Sequence, residues 1–590
     1  MKISVIIATF NRRALLARTL PPLLQQNFDP EQYEVIVVVD GSNDGTIEFL
    51  NSLPHRDNLR IVQQPNRGQA AAINAGLHQS RADLVLFLDD DIVCGPNLVA
   101  EHTNAPRSGT SCLAFGPVLV SPEGRDPLAL DWARTYCDDF FGEKVHQVPQ
   151  KGWYGCMASA NSSLPREVAL SVGGLDDTFS RGNDVEFGFR LLKAGYNFVY
   201  LPSAITHQLY KKTRRDVIID AAGEGTAEVR LSRKFPQLRT ASRLALLSSK
   251  PWWKRAAARV IATTPFSLVG FVAPFTWISD KLRVVSFFRR LALRLLQTQQ
   301  NIAAWRSAVR EAGSWSALQQ EYGARLPVLM YHSIGPLPAG FDRFLNIPVD
   351  MFENQLRWIA RRGFTPIHLS EWIAYQREGK PLPAKPIVLT FDDAYRNTAE
   401  FAFPLLRKYE FKGTLFVVTN HIGGTNKWDL PLGVSEQPLM TAEEIRYWAS
   451  NGIEIGSHSQ SHPDLRKCSP EQIREEMVRS RACLEQLLGA PVRAFAYPYG
   501  YFDELAASAA HTIYDVALTC DLGINVLSTD TALLRRATII PAYTFGQMFW
   551  STRFGYNLFL NTRIQARLRL RPILERIGLK DHVPSSCLLI

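Results

Sequence analysis

Apolar runs of strand length alternate with helix-period segments through the first third of the chain. ISVIIATF is a β-branched run from Ile3, and Arg12 to Gln26 carries a helical spacing. EVIVVVD is a second strand signal, Gln69 to Gln79 reads as a helix, and DLVLFLD follows as a further strand. This βαβ rhythm predicts a mostly parallel α/β sheet, whose ligands belong outside the carboxyl ends of its strands. The polar residues fall at those ends. Thr9 and Asn11 follow the first strand, Asp40 and Asp44 lie in DGSNDGT after the second, and Asp89, Asp90 and Asp91 close the run DLVLFL.

From Lys211 the rhythm fades. Val260 to Ser279 is uncharged and, at about twenty residues, just long enough to cross a bilayer. Pro265, Gly270 and Pro274 interrupt it, and basic clusters flank both ends, so charge asymmetry gives no orientation. Pro251, Trp252 and Trp253 beside Lys254 and Arg255 resemble an interfacial anchor. Beyond the run, Arg283, Arg290, Arg294 and Gln297 share one helical face, with Val285, Phe288, Ala292, Leu295 and Leu296 on the other. The pattern favours a surface-bound or shallowly inserted helical hairpin over a single span or a soluble helical subdomain.

After Leu326 strand signals return as PVLMYH, IVLTFDD, GTLFVV, IEIGSH and AFAYPYG, separated by helical stretches such as Met351 to Arg362 and Pro470 to Leu488. Polar residues again end the strands, as a (β/α) barrel places them. The expected division is a first domain over 1–235, a basic and apolar helical linker over 236–325, a second domain over 326–560 and a basic tail over 561–590.

Composition refines this picture. At 590 residues the chain is too long for one core, and 46% hydrophobic with 21% charged residues is ordinary for globular domains. The net charge of +10 is unevenly spread: Lys211 to Arg325 holds 21 Lys and Arg against 7 Asp and Glu, a net of +14, leaving −4 elsewhere. No nucleic-acid motif accompanies that charge, so an anionic membrane surface is the expected partner and nucleic acid is not. Eight cysteines without CxxC spacing fit a reducing compartment or simply unpaired core thiols, not a disulfide scaffold or zinc knuckle. MKISVIIATFNRR has no small-residue cleavage site and reads as a first buried strand.

Three aspartates ending a buried strand repel one another unless a cation lies among them, and carboxylate oxygens suit Mg²⁺ or Mn²⁺ carrying a diphosphate. A lone DDD also fits a solvated turn; here DGSNDGT and NRGQAAAINAGL precede it in order. With ATFNR, VDGSNDGT, NRGQAAAINAG, FLDDD, SVGGLDDTF and GNDVEFGFRLLKAGY, roughly residues 1 to 210 resemble the family 2 glycosyltransferases, inverting enzymes of the Rossmann-like GT-A fold. The resemblance implies that Thr9, Asp40 and Gly68 hold the nucleoside and that Asp89 and Asp91 bind metal and diphosphate. It makes Asp184 the base that deprotonates the acceptor hydroxyl. This chain has Asn183-Asp184 where the family usually shows Glu-Asp, which leaves Glu186 as the fallback base. His207 matches a position of metal or phosphate contact.

In the second half, His458 and His462 of HSQSH are four apart, so on a helical turn both imidazoles face one way. With one carboxylate of the pair Asp392-Asp393 they make a two-His, one-carboxylate set suited to Zn²⁺ or another divalent metal. With TFDD, HSQSH and the Pro-Tyr-Gly loop, roughly residues 326 to 545 resemble the NodB-type polysaccharide deacetylases of carbohydrate esterase family 4. The resemblance implies Asp393, His458 and His462 as metal ligands, Asp392 as general base and the backbone N–H of Tyr499 as an oxyanion donor. The family's Arg-Pro-Pro-Tyr appears here as Ala496-Tyr497-Pro498-Tyr499, so the arginine that orients the base is missing from that place. No late Leu-x-His is found, and the comparable stretch reads LRRATII; VLMYHSI resembles the early Tyr-His of the exopolysaccharide deacetylases, which implies His332 as the acid.

Together these features imply a bifunctional enzyme of surface polysaccharide or glycoconjugate synthesis. Its expected partners are a nucleotide-sugar donor, such as a UDP-N-acetylhexosamine, and a glycan or lipid-linked acceptor. The expected location is the cytoplasmic face of a membrane, with a single-pass protein as the alternative. A glycosyltransferase with an idle or altered deacetylase is a second reading. A membrane-bound glycan-binding scaffold is a third, which would have no need of Asp89, Asp91, Asp184, Asp392 and Asp393 together.

Overall fold

The computed structural model describes residues 1–106, 111–141, 160–263, 268–282, 285–336, 345–432, 434–540 and 545–554. The chain forms two compact units that are not contiguous in sequence. One comprises Met1–Leu231 and Ala256–Trp315, the other Ser232–Arg255 and the chain from Ser316 onward. The stretch read as one linker over 236–325 is thus divided between them. The tail from 561 lies outside the described residues.

The first unit is built on a seven-stranded mixed sheet. Its order is Leu59–Gln64, Tyr33–Asp40, Ile3–Thr9, Leu84–Leu88, Asn161–Pro165, Ser111–Phe115 and Asn197–Tyr200. The first four strands are parallel, with Asn161–Pro165 running antiparallel to both of its neighbours. Every residue of YEVIVVVD is buried, the signature of a strand covered on both faces. The order reverses at Ile3–Thr9, and the carboxyl ends there present Thr9 on one strand and Asp89 to Asp91 after its neighbour. A small sheet of Ile92–Cys94, Thr206–Gln208 and Val118–Val120 extends this edge.

The helix Gln69–Gln79 packs on that sheet through Gly76. A Cβ there would lie 2.4 Å from the Ile6 side chain and 3.2 Å from that of Val38, so close approach requires glycine.

In the middle segment, helices run over Trp252–Thr263, Leu268–Lys281 and Ser286–Ala312. Residues 264–267, inside the apolar run from Val260 to Ser279, and 283–284, which include Arg283, lie outside the described residues. Among the described residues, no helix is long and apolar enough to cross a membrane. On the helix Ser286–Ala312 the expected apolar face turns inward at Ala292 and Leu296, which pack on Leu128, while Arg290, Arg294 and Gln297 are exposed. Val285, Phe275, Trp277, Ile278 and Phe287 stay exposed.

The second unit carries an all-parallel curled sheet, ordered Val516–Leu518, Ala494–Ala496, Ile453–Ser457, Gly413–Val417, Pro386–Phe391, Val328–Tyr331 and Ala537–Thr538, with Thr365–Pro366 joined to Pro386–Phe391. It is the half-barrel form of the expected (β/α) barrel. Phe391 lies at the centre of its core, stacked with Tyr331 at 5.4 Å and edge-on to Phe403 at 5.4 Å. Such pairs contribute about 0.5–1.5 kcal/mol beyond the area they bury.

Replacing Gly76 by Val is expected to destabilise the first unit by about 1–3 kcal/mol, the usual cost of overpacking. Denaturant unfolding followed by proteolysis would show fragments of 1–231 released first, and unchanged resistance of that segment would refute the packing argument.

Candidate functional sites

The three aspartates of the first unit are not equivalent. Asp90 is buried and accepts from the Thr9 hydroxyl at 2.8 Å and the Arg12 guanidinium at 2.8 Å, while the Thr19 hydroxyl donates to its main-chain carbonyl. Asp90 is therefore the structural member of the three, and Thr9 spends its hydroxyl on it. Asp91 receives Arg12 at 3.3 Å and the Gln208 side-chain amide at 3.2 Å. Asp89 is half-buried and accepts from the Gln69 amide at 3.1 Å. Burial first, then Asp91 and Asp90, push the Asp89 carboxyl well above its ordinary value, against the pull of Arg12. With Asp90 committed to Thr9 and Arg12, Asp89 and Asp91 are the two carboxylates left to face a ligand.

Asp40 gathers the loop that precedes the helix Gln69–Gln79. Its carboxylate accepts from the amides of Arg67 at 2.9 Å and Gly68 at 2.8 Å, and from Gln64 at 2.7 Å. Gly68 has φ 91°, a conformation that favours glycine. Asp40 and Gly68 are thus directly bonded to each other, and the Asp40 carboxylate is 3% exposed.

Asp184 stands in the first turn of the helix Asn183–Lys193, close enough to Asp89 to raise that carboxyl further. Burial raises Asp184 itself to about 6, despite backbone hydrogen bonds that favour its charged form. Glu186, two residues on, is fully buried and ion-paired to Arg190 at 2.6 Å, so its carboxylate is committed to holding the helix. His207 is exposed on the strand Thr206–Gln208, and its neighbour Gln208 makes the contact to Asp91. Arg12 and Gln208 carried no assignment from the sequence; Arg12 stood within ATFNR, the signal that pointed to it.

In the second unit the structure brings Asp393, His458 and His462 together, all buried, with their ligand atoms within 4.8 Å of one another. Asp393 Oδ1 lies 3.5 Å from His458 Nε2 and 3.6 Å from His462 Nε2. This oxygen is buried with no hydrogen-bond partner, which a cation would supply. His458 Nδ1 lies 2.8 Å from the Ala496 carbonyl, so Nδ1 carries the proton and Nε2 presents its lone pair toward Asp393. Three buried donors of the right chemistry fit a divalent metal.

HSQSH is a loop, not the helical turn that its spacing predicts. Ser459 has φ 67° and His462 φ 61°, and Glu476 from the helix Pro470–Leu488 accepts from the amides of Gln460 and Ser461. The two imidazoles converge because this left-handed loop is pinned. Asp393, Ala394 and Tyr499 are also left-handed, at φ 70°, 58° and 57°. Positive φ costs a non-glycine residue about 1–3 kcal/mol, and its clustering here marks a site whose geometry the surroundings enforce. The Tyr499 ring lies 4.4 Å and the Trp428 ring 4.9 Å from that of His462.

The missing arginine is supplied from elsewhere. Arg536, in LRRATII, places its guanidinium 2.7 Å from Asp392 Oδ1, with side-chain exposures of 0% and 3% for the pair. It also donates to the Thr519 carbonyl. Burial works to raise the Asp392 carboxyl, but Arg536, with His458 and His332, overcomes it and holds the group below the ordinary carboxylate value. Its neighbour Asp393 moves the other way, pushed well up by burial and by Asp429 and Asp392. Burial lowers His332 to about 4, though Asp392 favours its charged form.

Known proteins resemble the two halves separately. Residues 4–147 match the family model of glycosyl transferase family 2, residues 84–280 that of glycosyl transferase family group 2, and residues 379–514 that of polysaccharide deacetylase. The Bacillus subtilis protein YxkH, whose name assigns it to the polysaccharide deacetylases, is 27% identical over 39% of this chain and 76% of its own. The validoxylamine A glucosyltransferase of Streptomyces hygroscopicus is 30% identical, covering 32% of this chain and 47% of that protein. The poly-beta-1,6-N-acetyl-D-glucosamine N-deacetylase of Staphylococcus epidermidis is 30% identical, covering 26% of this chain and 53% of that protein. This chain thus spans about half the length of the last two. A family 2 glycosyltransferase region in the N-terminal half and a polysaccharide deacetylase region in the C-terminal half are both indicated.

Metal-stripped protein titrated with Co²⁺ is expected to show one saturable visible absorption band from the histidine-bound ion. His462→Ala should abolish the band and Asp89→Asn should leave it. A band that survives His462→Ala would exclude this cluster as the metal centre.

Proposed function

We propose that this protein is a bifunctional enzyme that transfers a sugar from a nucleotide donor, with inversion, and removes N-acetyl groups from a glycan. The reading rests on one observation above others: the buried cluster of Asp393, His458 and His462 with Asp392 next to it, in a chain whose first unit gathers Asp184 with Asp89 and Asp91. In the first unit, a divalent cation at Asp89 and Asp91 would neutralise charge developing on the leaving diphosphate. Asp184 then takes the proton of the acceptor hydroxyl as that oxygen attacks the sugar from the opposite face. Asp40 and Gly68 hold the loop that borders the nucleoside, and Thr9 acts through Asp90.

In the second unit, a divalent cation bound by Asp393, His458 and His462 would supply Lewis-acid polarisation of the acetamide carbonyl and of the attacking water. Asp392, kept ionised by Arg536, accepts the proton of that water. The amide of Tyr499 donates to the developing oxyanion. His332 starts neutral, receives from Asp392 the proton taken from water, and passes it to the departing amine. Arg536 removes the reason for reading the deacetylase as idle, which was the absent arginine at position 496.

The polysaccharide is proposed to be of N-acetylhexosamine type, with a UDP-N-acetylhexosamine as donor. The name of the Staphylococcus epidermidis relative supports that class. A lipid-linked acceptor at a membrane surface accords with the exposed Trp253, Phe275, Trp277, Ile278 and Phe287 in the segment of net charge +14. Both active sites then face the cytoplasm.

Asp184→Asn is expected to lower sugar transfer by about 10²–10⁴-fold and leave deacetylation of a supplied N-acetylglycan intact, and Asp392→Asn to do the reverse. Because the base must be ionised, transfer should rise with pH through a midpoint of about 6, moved lower when a cation is bound. Equal loss of both activities in either variant would defeat the assignment. Flotation with anionic vesicles should carry the wild-type chain, and Phe275→Ser with Trp277→Ser should weaken it; no flotation of wild type would remove the membrane from the reading.

A further inference from the structure

A second cavity in the C-terminal unit lies away from the metal cluster. Its lining includes Pro327 and Pro386, which stand at the amino ends of the strands Val328–Tyr331 and Pro386–Phe391, whereas Asp392 and Asp393 follow the carboxyl end of the latter. The sheet therefore separates the two. The cavity measures about 560 Å³, within the range of small-molecule sites.

Its charge is one-sided. Arg325, Arg362, Lys385 and Arg553 line it, and no aspartate or glutamate does. Arg325 donates to the Arg553 main-chain carbonyl at 3.2 Å, which brings the cation to the end of the helix Phe545–Phe554. Arg255 is near enough to act on both: burial lowers the Arg325 guanidinium to about 10, with Arg255 and Arg553 lowering it further. Arg255 Nε is buried without a hydrogen-bond partner. Among the described residues no carboxylate pairs with Arg255, Arg325, Arg362 or Arg553, in a chain that pairs many of its other arginines.

Ser316, Gln319, Gln320 and Thr552 also line it, and one wall is aromatic. Trp358 is 8% exposed and carries the Arg362 guanidinium over its ring at 5.6 Å, with Phe364 stacked on it at 6.1 Å; Phe549 is exposed on the opposite element.

We propose that this cavity binds a diphosphate group carried on an apolar body. Guanidinium forks match phosphate oxygens in pairs, and one negative charge would leave most of the four lining cations uncompensated. The aromatic wall takes the apolar part. A free diphosphate and a lipid-borne one share this chemistry. The site is distinct from both candidate active sites and does not depend on their assignment.

The test is calorimetric titration of the full chain in chelator, so that the aspartates at 89–91 hold no metal-bound diphosphate, with inorganic pyrophosphate and then with geranyl diphosphate. Saturable binding is expected, weakened at least about tenfold in Arg553→Gln and in Arg325→Gln, and unchanged in Arg294→Gln, an exposed cation elsewhere. Tighter binding of geranyl diphosphate identifies a lipid-borne ligand, and equal binding a free one. Arg553 is exposed, so Arg553→Gln carries the test should Arg325→Gln fail to fold. No saturable binding of either compound, unchanged binding in both cavity variants, or equal weakening in Arg294→Gln overturns the proposal.

Discussion

The buried pair of Arg536 and Asp392 is the interaction on which the C-terminal site depends. Two adjacent aspartates in a dry pocket cannot both ionise without help, and a guanidinium at 2.7 Å decides which one does. Asp392 is held charged and Asp393 is driven toward its neutral form. Neighbouring residues of one dipeptide are thereby given opposite charge preferences, as the proposed roles of base and ligand require. Removing one partner of such a pair leaves a buried charge alone, at a cost of about 3–5 kcal/mol, so the same contact also ties the strand Ala537–Thr538 region to the centre of the sheet.

The N-terminal site meets the related problem with a single guanidinium as well. Arg12 offsets Asp90 and Asp91, while burial raises both Asp89 and Asp184. In both units one buried aspartate is tied to an arginine, Asp90 to Arg12 and Asp392 to Arg536.

Much of this was legible in the chain itself. The buried strands and the aspartates at their carboxyl ends follow from period and spacing, which are local; the pairing of His458 with His462 is expected from spacing too, though for a helical turn that does not form. What was hidden is non-local or conformational. Arg536 is separated from Asp392 by 144 positions, and nothing in LRRATII says which of its two arginines turns inward. The left-handed HSQSH loop is imposed by Glu476, on a later helix, where four-residue spacing alone suggested a helical turn. Glu186 carries the same charge as Asp184, and only its partner Arg190 shows it to be committed to the helix. The middle segment read as one linker because its composition is uniform; its division between two units depends on which buried faces each piece joins.

That division has a consequence for how the protein is made. As the chain leaves the ribosome, Ser232–Arg255 emerges well before the Ser316-onward partner, where Arg239 meets Tyr375, and the first unit must wait for Ala256–Trp315 to close. Neither unit can finish in simple order of synthesis, so a newly made chain passes through a period in which two incomplete cores expose apolar surface together. A chaperone or a membrane surface present at that stage would meet the middle segment first.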